Sequence, residues 1–280
     1  MNIQRKPEWL RKKVNPGDQS EMRRLLGELR LNTVCQQALC PNISECFACG
    51  QATFLILGRN CTRLCSFCNV EKTTPLPVDN DEPARVAEAV HRLKLSHVVV
   101  TSPTRDDLPD GGAGIYAATV VAIRCSSPST RIELLVPDFQ GIISSLESVV
   151  AAHPDIIAHN VETVPRLYQI RNGADYGRSL EVLRSCAGMA PDIRTKSGIM
   201  LGMGELEEEV LQVLIDLRGV GCSYLSIGQY LAPSRHHYPV CEYVPPERFE
   251  SLRIEAVKMG FKHIESEPYV RSSYHAGQYV

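Results

Sequence analysis

The chain has 280 residues, of which 44% are hydrophobic, so it is long enough to bury one large core or two ordinary ones. Its 30 basic and 32 acidic residues nearly cancel, which argues against a nucleic-acid binder or a polybasic membrane module. No apolar run approaches the roughly 18 residues of a membrane span, and the charged N-terminus has no signal-peptide core. We therefore expect a cytoplasmic protein, or an organellar one if a transit peptide has been removed.

Short apolar segments alternate with helical patterns from about residue 50 onward. The first segment, at 53–57, precedes a long loop and then a helical pattern at 81–95, which Pro83 helps to start. Five more segments each precede a helical pattern, and the last helix leads to a possible terminal strand at 262–266. The six predicted strands are TFLIL, HVVVT, RIELLV, DIIAHN, RTKSGIML and SYLSIGQY.

Six βα units in series predict an α/β fold in which a parallel sheet is covered by helices. Right-handed crossovers curl such a sheet toward a barrel. Because a full barrel has eight units, we predict an incomplete (β/α)6 TIM-like barrel. A doubly wound sheet is the alternative, but it would need a Gly-rich turn after an early strand. This chain has cysteines at that place.

Polar residues follow the predicted strands at their C-terminal ends, where barrel enzymes place their chemistry. Each of these residues alone is compatible with an ordinary loop, but together they predict a polar mouth for the barrel. They are the stretch TSPTRDDLPDGGAG at 101–114, Asp138, Asn160, Glu162, Lys196, Ser197, Gln229 and Tyr230.

Cysteine is frequent, with eleven residues in the chain. An odd number without a secretory signal does not fit a disulfide framework, and clustered thiols in a reducing compartment serve metal or redox chemistry. Seven of the eleven lie between positions 35 and 68. The scattered remainder are interpreted as small core or surface residues; they are Cys125, Cys186, Cys222 and Cys241.

The loop CTRLCSFC places Cys61, Cys65 and Cys68 directly after the first predicted strand. A structural zinc site would need a fourth ligand, and no paired CxxC or HxxxH follows, although one could come from elsewhere. Thiolates suit iron–sulfur clusters, and three of them leave the fourth iron of a cubane open. The spacing CxxxCxxC strongly resembles that of radical S-adenosylmethionine enzymes. By that resemblance, S-adenosylmethionine chelates the open iron and is cleaved to a 5′-deoxyadenosyl radical.

A second set precedes the first: Cys35, Cys40 and Cys46, spaced CxxxxCxxxxxC. With it, the chain resembles the lipoyl synthase family over nearly its whole length. The matching stretches include KPEWLR, CPNISEC, TRDDLPDGGA, VPDFQG, HNVETVPRLY, ADYGRSLEVL, RTKSGIMLGMGE, IGQYLAPSRHHYPV and VRSSYHA.

The resemblance implies insertion of two sulfur atoms, at C6 and C8 of an octanoyl chain held on a lysine of a lipoyl carrier domain. One S-adenosylmethionine is used for each abstracted hydrogen, and the sulfur comes from an auxiliary 4Fe–4S cluster. Cys61, Cys65 and Cys68 then match the radical-generating ligands. The auxiliary ligands match Cys35, Cys40, Cys46 and Ser273, with Ser272 as the alternative serine.

The resemblance also predicts the organisation and partners of the chain. Residues 1–50 form an extension with the auxiliary cysteines, 51–240 the partial barrel, and 241–280 a C-terminal helix and the tail that carries the serine. The two extensions are expected to close the mouth. Expected partners are octanoylated carriers (the E2 subunit of a 2-oxoacid dehydrogenase or the glycine cleavage H protein), a reductant such as ferredoxin or flavodoxin, and an iron–sulfur carrier that repairs the cluster.

Seven further residues are assigned to binding of S-adenosylmethionine or of the octanoyl chain: Asp110, Gly111, Gly112, Asn160, Glu162, Lys196 and Arg271. Arg271 is also expected to orient the tail, or else to be a solvated surface arginine. The family pattern is broken at CFACG, where Cys49 adds a thiol that could compete as a ligand, and at Pro103 and Thr104. The rival functions are another radical sulfur-inserting enzyme and an iron–sulfur scaffold or electron carrier.

Overall fold

The computed structural model describes residues 5–11 and 19–274. In these residues eight strands form one sheet in chain order, β1 through β8. The first pair is antiparallel and every later pair is parallel. The strands are β1 (Asn32–Thr33), β2 (Thr53–Leu55), β3 (His97–Thr101), β4 (Arg131–Leu135), β5 (Ile156–Ala158), β6 (Arg194–Leu201), β7 (Tyr224–Gln229) and β8 (His263–Ser266).

Helices connect the parallel strands. The α-helices are α1 (Ser20–Glu28), α2 (Val34–Gln37), α3 (Ile43–Ala48), α4 (Glu82–Arg92), α5 (Ala113–Ser126), α6 (Ile143–Ala151), α7 (Tyr176–Met189), α8 (Glu207–Gly219) and α9 (Pro246–Lys258). Short 3-10 helices span Glu8–Leu10, Phe139–Gly141 and Pro165–Ile170. In the described ranges, no helix is long and apolar enough to cross a membrane.

Local sequence explains where these helices begin and which face they bury. Pro83 occupies the first turn of α4, where the missing N–H costs nothing. Val86 and Val90, one turn apart, are buried on the side that faces the sheet. At α7, the Asp175 side chain accepts a hydrogen bond from the Arg178 backbone N–H at 2.8 Å and caps the first turn. The apolar strands and helix faces thus bury the core between the sheet and the helices.

The prediction of an α/β fold with a mainly parallel sheet is confirmed, because all six predicted strands and the terminal strand are present. Two features differ from the prediction. A short strand, β1, precedes the six and pairs antiparallel with β2. The cysteine-rich segment before residue 50 also forms two short helices, α2 and α3. Each is too short to show the periodic pattern of apolar residues that indicates a helix in a sequence.

Candidate metal centres

The first cysteine loop begins at a left-handed turn just beyond β2. Leu57 has φ 66° and Gly58 has φ 86°, and the first value is costly for a side chain larger than glycine. Two buried side chains hold this turn: the Leu57 N–H donates to the Glu82 carboxylate at 2.6 Å, and Arg105 donates to the Leu57 carbonyl at 3.0 Å. The turn therefore starts the loop at Cys61 in a fixed direction.

Arg63, between the first two cysteines of the loop, fixes the rest of it. Its guanidinium lies 2.8 Å from the Asp106 carboxylate and 2.5 Å from that of Asp138, and its side chain is only 7% exposed. Burial alone would lower the pKa of Arg63, but these carboxylates hold it above its ordinary value. Arg178 also contacts Asp138, at 3.1 Å. The loop is thus tied by charge pairs to the ends of β3 and β4.

The three thiols of this loop are suited to a multinuclear metal cluster. Burial, and then the neighbouring Cys65 and Cys61, raise the pKa of Cys68 to about 12. Burial also raises the pKa of Cys65, against the opposing charge of Arg171. Neighbouring thiolates that are shielded from water repel one another. They form together only beside a strong positive charge, which bound iron would supply.

The second set surrounds a separate space. A cavity of about 200 Å³, here called the auxiliary cavity, is lined by Cys35, Cys40 and Cys46 together with Thr53 and Ser273. Cys35 lies on α2, which the Thr33 hydroxyl caps, and Cys46 lies on α3. Burial raises the pKa of the Cys35 thiol. Among the described residues no three His, Cys, Asp or Glu side chains converge on one metal ion. In a cubane, by contrast, each thiolate binds a different iron, so the ligands surround a volume.

A larger cavity brings the two cysteine sets to one space. This central cavity, of about 420 Å³, is lined by Cys68 from the first loop and by Cys35, Cys40 and Ser273 from the auxiliary side. Its remaining wall includes apolar side chains and the ends of β6 and β7. Those lining residues include Phe67, Leu135, Ile199, Met200, Tyr230, Leu231 and Pro233.

In the C-terminal tail, residues 267–274, the hydroxyl groups of two adjacent serines have different partners. The Ser273 hydroxyl accepts a hydrogen bond from Thr53 at 2.6 Å and lines both cavities. The Ser272 hydroxyl accepts one from Asn160 at 2.6 Å and lines only the central cavity. Glycine at 228 lets the tail approach, since a Cβ there would lie 2.2 Å from the Val270 carbonyl oxygen.

Hydrogen bonds join the two ends of the described chain. Asn42 donates to the Tyr269 carbonyl at 2.8 Å, and the Tyr269 hydroxyl donates to the Leu10 carbonyl at 2.7 Å. Tyr274 donates to Glu45 at 3.1 Å. These bonds join the cysteine-bearing segment to the tail on which Ser273 lies.

Asn160 and Glu162 face the central cavity, whereas Asp110 and the two glycines after it form a helix start. Asn160 donates to Glu162 at 3.1 Å. Burial raises the pKa of Glu162, against the charge of Arg171. Asp110 accepts the N–H groups of Gly112 and Gly114 at the start of α5. A Cβ at Gly112 would lie 2.2 Å from Leu57, so Gly112 packs against the turn that starts the cysteine loop, whereas a Cβ at Gly111 would lie 2.9 Å from Phe139.

Lys196 is buried, whereas Arg271 is half-buried. Lys196 pairs with Glu133 at 2.9 Å inside the sheet. Arg271 donates to the Val270 carbonyl at 2.6 Å and lines both cavities, and burial lowers its pKa. Arg271 is partly exposed, with its guanidinium bonded to the backbone of the tail. Sequence reasoning missed the roles of Arg63, Thr53, Glu133 and Arg171; only Arg63, inside the cysteine motif, carried a local signal.

Comparison with known proteins agrees with this geometry. A profile described as the Radical SAM superfamily matches residues 55–217. The structure of Streptococcus suis SuiB bound to S-adenosylmethionine superposes with a TM-score of 0.61, at 9% identity, over 76% of this chain and 49% of that one. That likeness concerns the fold alone. The profile match, which spans more than half of the chain and includes the cysteine loop, defines a radical S-adenosylmethionine enzyme.

Full-length relatives define the family within that class. The lipoyl synthase of Trichlorobacter lovleyi is 69% identical over the whole of both chains. That of Geobacter metallireducens is 68% identical over all of this chain and 99% of its own. The chain belongs to the lipoyl synthase family. It is a sulfurtransferase whose cofactors are S-adenosylmethionine and 4Fe–4S clusters.

Proposed function

We propose that this chain inserts two sulfur atoms into a carrier-bound octanoyl chain, with the two cysteine sets in separate roles. Cys61, Cys65 and Cys68 hold the cluster that cleaves S-adenosylmethionine. Cys35, Cys40, Cys46 and Ser273 hold the cluster that gives up sulfur. The observation that carries the proposal is the central cavity, because one space touches Cys68 on one side and Cys35, Cys40 and Ser273 on the other.

When bound, the cofactors supply an electron, a 5′-deoxyadenosyl radical and sulfur, and the protein supplies the container. A primary carbon radical is indiscriminate, so the substrate must lie close and water must be excluded. Phe67, Leu135 and Ile199 give the central cavity apolar walls against which an acyl chain can extend. Asn160 and Glu162 place polar groups at its edge, where polar parts of S-adenosylmethionine can bind.

Ser273 suits the auxiliary cluster better than Ser272. The Ser273 hydroxyl faces the same cavity as three cysteines, whereas the Ser272 hydroxyl is bonded to Asn160. An alkoxide oxygen is a harder and more basic ligand than a thiolate, so protonation displaces it more easily. Ser273 would therefore hold an iron until sulfur transfer begins. Cys49 also lines the auxiliary cavity, but it is exposed.

The finer organisation belongs to the same proposal. The sheet forms an incomplete (β/α)6 barrel over residues 51–240, and the extensions 1–50 and 241–280 close its mouth. Asp110 and Gly112 act by placing the turn that starts the cysteine loop, Gly111 packs against Phe139, and Arg271 orients the tail. The substrate is an octanoylated E2 or H-protein domain, and a ferredoxin or flavodoxin supplies electrons. An iron–sulfur carrier rebuilds the auxiliary cluster, and the setting is the cytoplasm, in keeping with the bacterial relatives.

One reaction tests this function directly. The reconstituted protein is incubated without oxygen with an octanoyl-lysyl peptide, S-adenosylmethionine and a reductant, and the peptide mass is measured. We expect a gain of two sulfur atoms, with release of 5′-deoxyadenosine. Release of 5′-deoxyadenosine without sulfur in the peptide would indicate a different radical reaction. An absence of both products would remove the enzyme assignment.

A further inference from the structure

Lys196 and Glu133 form an ion pair inside the sheet that the proposed chemistry does not use. Lys196 lies on β6 and Glu133 on β4, and their charged atoms are 2.9 Å apart with side chains 1% and 0% exposed. His97 lies 3.5 Å from the other carboxylate oxygen. Burial alone would raise the pKa of Glu133, but Lys196 and His97 hold it below its ordinary value. A buried pair of this kind adds little net stability compared with apolar side chains, so stability alone does not account for it.

The Lys196 ammonium has a second partner outside the sheet. It donates to the backbone carbonyl of Ser272 at 2.6 Å, across 76 residues of chain. Asn160 holds the hydroxyl of the same serine at 2.6 Å. Ser272 is thus fixed through both its backbone and its side chain. The next residue, Ser273, turns its hydroxyl to Thr53 and the auxiliary cavity.

We propose that Lys196 is a positioning residue that docks the C-terminal tail and so keeps Ser273 among the auxiliary cysteines. The inference rests on the proposed ligand role of Ser273. Hydrogen bonds from a charged donor are about twice as strong as neutral ones, which suits a segment near the end of the chain. Glu133 holds the Lys196 ammonium in place on the sheet side, so the ion pair orients the ammonium toward the Ser272 carbonyl. The role differs from contact with S-adenosylmethionine, because the atom that Lys196 holds belongs to the protein.

One double variant, compared with wild type, isolates the contact of Lys196 with the tail. Lys196→Met/Glu133→Gln removes both buried charges with little change in volume, whereas Glu133→Gln alone would leave the Lys196 ammonium buried without its counter-charge. The double variant leaves no buried charge unpaired, so it is expected to fold, and its thermal unfolding is compared with that of wild type.

The first readout needs no cofactor. Backbone amide exchange is measured by mass spectrometry in the cluster-free proteins, for peptides that cover the tail and for peptides from α7 and α8. We expect the tail to exchange about tenfold faster or more in the double variant than in wild type, since one charge-assisted bond is lost. Exchange in α7 and α8 should match. Equal protection of the tail in the two proteins would overturn the proposal.

The second readout separates this inference from the proposed function. In reconstituted protein, lipoyl product per 5′-deoxyadenosine should fall about tenfold in the double variant relative to wild type. Ser273→Ala is measured beside them. If the double variant freed the tail but both it and Ser273→Ala gave normal product, docking by Lys196 would stand and the ligand role of Ser273 would fail. A loss confined to the affinity for S-adenosylmethionine, with the tail still protected, would instead make Lys196 a cofactor contact.

Discussion

The two cysteine sets are built in opposite ways. Cys61, Cys65 and Cys68 lie on one eight-residue loop, which a strand end, a left-handed turn and buried charge pairs of Arg63 hold in place. The proposed auxiliary ligands come from α2, a turn, α3 and a tail more than 220 residues later, and single hydrogen bonds join these parts. A local, braced site suits a cluster that survives each turnover. A site assembled from both chain ends suits one that is taken apart and rebuilt.

The largest expected effects come from breaking one set at a time. Replacing Cys61, Cys65 or Cys68 with Ala should stop cleavage of S-adenosylmethionine, because the open iron is lost. Replacing Cys35, Cys40 or Cys46 should leave cleavage measurable but give no lipoyl product. Wild-type protein should hold about eight irons, and a variant of either set about four. Lipoyl product from the Cys35→Ala variant would contradict the division of roles.

Ser273 sharpens the comparison at a single ligand. Ser273→Ala should retain cleavage of S-adenosylmethionine and lose sulfur insertion, because the fourth auxiliary iron has no ligand. Ser273→Cys should keep a full cluster yet insert sulfur poorly, since a fourth thiolate holds that cluster closed. Ser272→Ala is the matched control, and both products are measured in each variant. Normal insertion by Ser273→Ala together with loss in Ser272→Ala would move the ligand by one residue.

The contribution of the Arg63 ion pairs to the first cysteine loop is tested at Asp138. The Asp138 carboxylate pairs with Arg63, and its side chain is 1% exposed. Asp138→Ala leaves a buried guanidinium short of a partner, and the free energy of unfolding should fall by about 3 kcal/mol. Iron should be lost first from the Cys61–Cys68 loop, and a change in the spectroscopic signal of that cluster would report the loss. Denaturant unfolding measures the stability. Glu250→Ala, at the exposed pair with Arg253, is the control and should change stability little. Equal effects of the two variants would remove the bracing role.

A smaller effect concerns how the free energy of unfolding depends on pH through the buried His159. His159 bonds to the Val136 carbonyl at 2.9 Å and to Ser179 at 3.0 Å, and burial lowers its pKa to about 4. The folded state therefore favours the neutral imidazole, and its contribution is complete above about pH 6.5. As pH falls from 7 to 5, the unfolded chain takes up the proton first, which costs about 2 kcal/mol. Unfolding of wild type should be more pH-dependent than that of His159→Gln over this range, and parallel profiles would contradict the assignment.

The same contrast between local and distant contacts explains what the sequence reveals. Alternating apolar segments identify all six strands, and the spacing of Cys61, Cys65 and Cys68 identifies the first site, because both signals are local. The partners of Arg63 lie 43 and 75 residues away, and Thr53 lies 220 residues from Ser273. Pairs at such separations depend on how the sheet folds, and no spacing in one sequence specifies them.

Residues assigned by motif show the same limit. Lys196 lies at the predicted place in its strand, but the strand's register turns it toward Glu133 and the tail. Asp110 and Gly112 belong to a stretch that matches the family, yet their contacts in the structure are those of a helix start packed on Leu57. A motif marks these residues for attention, whereas their physical task follows only from the neighbours that folding brings to them.

The central claim, that the auxiliary site is the source of inserted sulfur, is tested most directly by isotope. Both clusters are rebuilt with a heavy sulfur isotope, and one turnover is run with an octanoyl-lysyl peptide and no sulfide in solution. The account predicts that the peptide gains two heavy sulfur atoms while iron is lost only from the auxiliary site. A peptide that gains sulfur of natural abundance, with the auxiliary cluster intact, would contradict it.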